Sequence, residues 1–237
     1  MTAGPRTEVP AAPSVGGSVR AAIGDFYFNS WRLVPANGLW GIGLVALIGL
    51  AFNDLRIAML LSVLLAVPTV GIFRMAALIV RGEPVAFRDA LAAWRAFALP
   101  ALAGGAVIAL GTLILGFNFV VGLASLELMW WALATLAGWG LFFGWMIALP
   151  WWALLVDPVR AGEPLTARLR LAVGVVVVRP LRFVILFLLM TAILIVSTIM
   201  FAALLTISIA FIALVAARYT LPAADRLEGR QTRLIAE

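Results

Sequence analysis

Polar residues fall in bunches along this chain and apolar residues in long unbroken stretches, the pattern of membrane-spanning helices. A helix crossing an apolar layer about 30 Å thick needs roughly 20 apolar residues, because each residue rises about 1.5 Å. Four stretches meet that requirement: Val34 to Phe52, Ile57 to Val80, Ala98 to Gly122, and Leu128 to Val156. A fifth, Leu181 to Ala217, contains one charge, Arg182, and neither Gly nor Pro. It is too long for one ordinary span and short for two.

Arginine placement decides between these, since cytoplasmic loops carry the excess of positive charge. Arg6, Arg20 and Arg32 precede the first span. Arg74, Arg81, Arg88 and Arg95 surround the second connection, and Arg160, Arg168, Arg170, Arg179 and Arg182 surround the fourth. Between the first and second spans lies only Arg56, beside Asp54, and between the third and fourth only Glu127. The first four spans therefore alternate from a cytoplasmic N-terminus. Arg218, Arg226, Arg230 and Arg233 then place the C-terminus on the same side if Leu181 to Ala217 crosses twice, as a hairpin breaking near Ala203 to Ser208. One long tilted helix with an external tail is the alternative.

The expected architecture is an all-α polytopic bundle with spans at 34–52, 57–80, 98–122, 128–156, 183–202 and 205–220. Residues 1–22, rich in Pro, Gly, Ala and Ser and without the apolar core of a signal peptide, are expected as a disordered cytoplasmic tail, and 223–237 as a second tail. Trp130 and Trp131 stand 21 residues before Trp151 and Trp152, about 31 Å along a helix, so both pairs read as interfacial anchors. Trp139 and Trp145 lie between them, where packing or lipid contact is favoured over stacking on a sugar ring.

The chain also resembles itself at an offset of 80 residues. Gly82-Glu83-Pro84 answers Gly162-Glu163-Pro164, and Arg88, Leu91, Ala92 and Pro100 answer Arg168, Leu171, Ala172 and Pro180: seven identities in the 19 positions from Gly82 to Pro100. Each copy follows an inward span and precedes an outward one, which predicts a parallel repeat about an axis along the membrane normal. Gly ends the incoming helix, Glu can cap the next, and Pro suits a first helical position. The helix so started, Pro84 to Ala98, places Phe87, Leu91, Trp94 and Ala98 on one face and Arg88, Ala92 and Arg95 on another. It is expected in the cytoplasmic interface. There Glu83, Arg88, Asp89, Trp94 and Arg95 are candidates for contact with anionic inner-leaflet lipid or a partner protein, with Glu163, Arg168 and Arg170 as their counterparts in the less amphipathic second copy, where Val175 to Val178 run straight toward the membrane.

Composition narrows the chemistry. The chain is 65% hydrophobic and 12% charged with a mean hydropathy of +1.13, against roughly 45–50% apolar and 25% charged in soluble domains. It has no Cys and no His, which removes thiolate chemistry and the commonest metal ligand and general base. Asp25, Asp54, Glu127, Asp157 and Glu163 fall at span boundaries or in loops, so no acidic relay is expected within the membrane. Arg74, on nearly the same helix face as Arg81, is the one intramembrane charge, and its side chain is expected to reach the headgroups. Asn37 and Asn118 are the further intramembrane polar candidates; the remaining Ser and Thr form no nucleophile–base pair. The four-residue spacings of Gly140, Gly144 and Ala148, and of Ala101, Gly105 and Ala109, suit close helix packing. There is no phosphate-binding loop and no nucleic-acid motif, and neither a metal nor a cofactor is expected.

Asn37-Gly38-Leu39-Trp40, Val67-Pro68-Thr69-Val70-Gly71 followed by Arg74, and Arg81-Gly82-Glu83-Pro84 leading to Phe87-Arg88-Asp89-Ala90 resemble the YesL-like family of bacterial membrane proteins, over roughly Phe28 to Arg170. The resemblance implies a multi-pass protein of the bacterial inner membrane, encoded beside carbohydrate ABC importers, and it supplies no active-site residues. The expected function is therefore a non-enzymatic accessory of a carbohydrate uptake system, in contact with permease subunits. The alternative is a small stand-alone transporter with its path between the two repeats. Oligomeric state is left open.

Overall fold

The computed structural model describes residues 14–125 and 127–230; Met1 to Pro13, Leu126 and residues 231–237 lie outside the described residues. Seven helices and no strand occur among the described residues: α1 Val15–Ala51, α2 Leu55–Val80, α3 Phe87–Ala124, α4 Leu128–Leu155, α5 Leu165–Val178, α6 Pro180–Ile199 and α7 Phe201–Leu227. All but α5 are long and apolar enough to cross a membrane. The chain is an all-α, multi-pass membrane bundle.

The expected boundaries move outward at several ends. Val15 to Ala22, assigned from composition to a disordered head, form the first two turns of α1, capped by the Ser14 hydroxyl, which accepts from Gly17 N at 3.0 Å. Ala22 is fully buried, so this segment belongs to the core. The other tail begins only after Leu227. Pro84 to Ala98 do not form a separate interfacial helix. Phe87 opens α3, which runs through Pro100 to Ala124 without interruption.

Leu181 to Ala217 reverse direction. Ile199 and Phe201 belong to different helices, with Met200 at φ −92°, ψ 67° between them. The Ser208 hydroxyl donates to Ser197 Oγ at 2.6 Å, and the Phe183 and Tyr219 rings meet edge to face with centroids 5.1 Å apart. In one straight helix Ser197 and Ser208 would stand about 16 Å apart. The break comes at Met200, before the expected Ala203 to Ser208. That latter stretch instead carries a π-helical turn, Leu204–Ser208.

Widening the helix there releases backbone groups, and Asn37 of α1 takes two of them. Its Nδ2 donates to Leu204 O at 3.1 Å, and its Oδ1 accepts from Ala210 N at 2.8 Å. One turn along α1, Gly41 lies so close that a Cβ would stand 2.7 Å from Leu205 O. The buried Asn37 amide thus supplies the partners that hydrocarbon cannot.

α7 is the centre of the bundle. From Ala210 to Asp225 nearly every residue is buried, packed against α1, α2 and α4. α2 is its partner from Ala66 to Val80, with Val70, Ile72, Phe73, Met75 and Ala76 in the core. α3 and α4 form an antiparallel hairpin on the outside. Gly122 meets Ala134, Gly138 meets Phe119, Gly140 meets Leu115, the Trp145 indole donates to Thr112 Oγ1 at 3.0 Å, and Gly104 meets Trp151. Of the four-spaced small residues, Gly105 admits Ala66 of α2, while Gly144 has nothing near it.

The chain contains no cysteine, so a Ser197→Cys, Ser208→Cys double variant carries a single possible disulfide. Mild oxidation in native membranes is expected to close it nearly completely. Failure to cross-link within one molecule would show that α6 and α7 do not fold back on each other.

Candidate functional site

Three helix ends converge at one end of the bundle, and each delivers a charge. α2 closes with Gly82 at φ 70°, where Gly82 N donates to Ile79 O and Glu83 N to Leu78 O, a glycine C-cap that leaves Arg81 at the helix end. α7 closes the same way at Gly229, φ 66°, with Gly229 N on Arg226 O and Arg230 N on Asp225 O. Between α4 and α5, Asp157 caps a short 3-10 turn, Pro158–Arg160, its Oδ1 accepting from Val159 N at 3.3 Å.

Arg81 forks onto both aspartates. Nε and Nη2 donate to Asp157 Oδ1 and Oδ2 at 3.0 and 2.6 Å, and Nη1 and Nη2 to Asp225 Oδ2 and Oδ1 at 2.6 and 3.1 Å. Arg160 closes the ring, donating to Asp157 Oδ2, to Asp225 Oδ1 at 2.7 Å and to Glu228 Oε2 at 2.6 Å. The side chains of Asp157 and Arg160 are 0% exposed. Burial alone would lower the affinity of Arg81 and Arg160 for their protons. The hydrogen bonds and charges of the surrounding carboxylates outweigh it, and both groups are held above their ordinary value.

Two further arginines serve backbone. Arg74 Nη1 donates to Val156 O at 2.6 Å, and the buried Arg168 donates to Leu155 O and, at 2.9 Å, to Ala161 O. Leu155 O and Val156 O are carbonyls that the end of α4 leaves without intrahelical partners, and Ala161 O follows the 3-10 turn. Burial holds Arg168 below its ordinary value, against the charges of Glu163 and Asp157. Further along α7, Arg218 forks onto Asp25 of α1 at 2.5 and 2.7 Å.

Several expected roles change. Arg74, expected to reach the headgroups, is bound to Val156 O, and Arg168 is withdrawn from the surface altogether. Asp157, read as a boundary residue, is buried in the ion ring. Asp89 accepts from Ala86 N at 2.7 Å and so caps α3. Trp94 packs on Gly71 of α2. Glu163 pairs with Arg230. Arg88, Arg95 and Arg170 remain exposed. Glu83 is exposed and, with Arg74 and Asp89, lines a shallow cavity of about 310 Å³. Asn118 is exposed and bonds back to Ile114 O at 2.8 Å, an in-helix bond. Trp130 and Trp131 lie on the outer surface, the Trp131 indole donating to Ser125 O at 2.9 Å, but Trp151 sits on Gly104 and Trp152 is buried beside Phe73. The second tryptophan pair is therefore core and not anchor.

Asp225 and Glu228 were not singled out from the sequence. The available signal was Asp225, seven residues after Arg218 and thus on nearly the same face of a mostly apolar helix. Both Gly-Glu-Pro segments follow an arginine of the ring and lie at its end of the bundle. No group of His, Cys, Asp and Glu among the described residues could hold a metal.

The fold and this ring define a polytopic helical membrane protein closed at one end by buried ion pairs. Compared with known proteins, the chain matches no family model, no curated protein and no solved structure.

Removing one member of a buried ion pair leaves its partner charged without compensation, at a cost of about 3–5 kcal/mol. Asp225→Ala is therefore expected to lower the melting temperature of the purified protein sharply. Glu163→Ala, which breaks a pair with the 39%-exposed Arg230, is expected to cost at most about 1 kcal/mol. Equal losses in the two variants, measured by thermal unfolding in detergent, would contradict this ranking.

Proposed function

We propose that this protein is a non-enzymatic docking component of a bacterial inner membrane, with the start of α3 as its contact surface on the cytoplasmic side. The observation that supports the reading is the division of faces there. Ala90 and Ala93 are buried and Trp94 is locked against Gly71, while Arg88, Leu91, Ala92, Arg95 and Leu99 are exposed together on the other side. An exposed stripe fixed from behind loses little conformational entropy on binding. The cytoplasmic orientation rests on the arginine distribution, and the resemblance to the YesL-like family suggests a carbohydrate ABC permease as the partner.

The stand-alone transporter has less support. Where α2, α4 and α7 meet, the interior is filled with Val70, Phe73, Leu154, Leu214 and their neighbours. The buried ring arginines and aspartates are committed to each other and to Glu228.

Charge reversal tests the docking surface, because like-charge mismatch at an interface costs several kcal/mol. An Arg88→Glu, Arg95→Glu double variant is expected to insert normally and to lose at least about tenfold of a copurifying permease in mild detergent. Undiminished recovery would remove the docking reading. Sugar uptake by the purified wild-type protein alone in vesicles would favour the transporter.

A further inference from the structure

Where α2 ends beside the start of α3, opposite charges share one cavity without pairing. Arg74, Glu83 and Asp89 line a space of about 310 Å³ whose remaining walls are largely apolar, Leu78 from α2 and Ala96 and Phe97 from α3 among them. Its volume falls at the small end of ligand sites, roughly 300–1,000 Å³. Arg74 Nη1 is fixed by Val156 O at 2.6 Å, and Asp89 Oδ2 by the Ala86 amide at 2.7 Å. Glu83 follows the glycine cap of α2, its N–H donating to Leu78 O. Each of the three residues is thus held in place by a backbone group.

None of the three takes part in an ion pair among the described residues, and the Glu83 carboxylate has no hydrogen-bond partner among them. A cation alone in the cavity would leave Arg74 unanswered, and an anion alone would meet two carboxylates. An occupant carrying both signs answers both. Beyond the cavity the surface of α3 turns apolar. Ala96, Ala103, Val107 and Leu110 are exposed at spacings of seven, four and three, forming one face that runs about 21 Å along the span.

We propose that this cavity binds the headgroup of an ethanolamine phospholipid, its phosphate on Arg74, its ammonium on Glu83 and Asp89, and an acyl chain against Ala96, Ala103, Val107 and Leu110. A primary ammonium offers three N–H donors to the carboxylates, whereas the quaternary nitrogen of choline offers none. Hydrogen bonds to a charged acceptor are the strong ones, so the site discriminates between two headgroups of the same net charge. A soluble zwitterion would use the cavity alone. Ala96 belongs to both the cavity and the apolar face, and that continuity selects the lipid.

Native mass spectrometry of the purified full chain in mild detergent, titrated with phosphatidylethanolamine or phosphatidylcholine of the same acyl chains, tests the site. The wild-type protein is expected to hold phosphatidylethanolamine at least about tenfold more tightly. Glu83→Ala is expected to remove most of that preference, and Glu127→Ala, at the start of α4 and the other end of the bundle, to preserve it. A phosphatidylethanolamine with a photoactivatable acyl chain is expected to label the wild-type protein within residues 96–110, a readout independent of any variant's folding. The proposal is overturned by equal retention of the two lipids, by an unchanged preference in Glu83→Ala, by labelling confined to other segments, or by displacement of the lipid by equimolar phosphoethanolamine.

Discussion

Hydrocarbon offers no hydrogen bonds, so polar groups carried into an apolar layer are stabilised by partners within the chain. The ring of Arg81, Asp157, Arg160 and Asp225 is the largest answer to that constraint. It joins the end of α2, the turn after α4 and the end of α7, elements separated by up to 144 residues in sequence. A ring of alternating charges, in which each guanidinium forks or bridges between carboxylates, offsets the desolvation that isolated pairs would leave exposed. Removing one member would leave the others charged in a dry place, so the three ends are held as a unit. The central position of α7 follows, since its last turn is fixed by Asp225 and its middle by Arg218 on Asp25.

The same constraint operates near the opposite end of α7 with neutral groups. The π-turn at Leu204–Ser208 leaves a carbonyl and an amide that a regular helix would have paired, and Asn37 meets both with one side chain. Asparagine can do this because its amide presents a donor and an acceptor side by side. Gly41 removes the side chain that would keep α1 from approaching. α7 is thus anchored by charge at its last turn and at Arg218, and by an amide near its start.

How much of this was readable in the sequence depends on whether the information was local. The six long apolar helices were, because apolar stretches and arginine parity are properties of contiguous segments; Leu181 to Ala217 had to turn back if Arg218 and Arg226 were to share a side with Arg81. The uses of those arginines were not. Arg74 and Arg168 have the composition of surface residues, and only the three-dimensional position of the α4 carbonyls shows why they turn inward. Trp151 and Trp152 have anchor spacing, but their side of α4 faces Gly104 and Phe73, which no periodicity of α4 alone discloses. The head of α1 differs from the expected tail because a composition rich in Pro, Gly, Ala and Ser suggests disorder, whereas burial of Ser18 and Ala22 against the bundle overrides weak helix propensity.

The divergence of the two repeat copies has a physical origin in one position. The residue before a proline is disfavoured in the helical region, so both Leu99-Pro100 and Arg179-Pro180 place strain on a continuing helix. At Leu99 the helix continues through Pro100, and the side chain is apolar and exposed on the outer surface. At Arg179 the helix breaks. The side chain carries a charge that favours the edge of the apolar layer, and at that edge water and headgroups can meet the backbone that the break releases. One copy therefore spends its Gly-Glu-Pro segment on the first turns of a long helix with an exposed basic stripe. The other turns aside into a short helix and an arginine-lined elbow, so that a duplicated segment comes to present two chemically different surfaces.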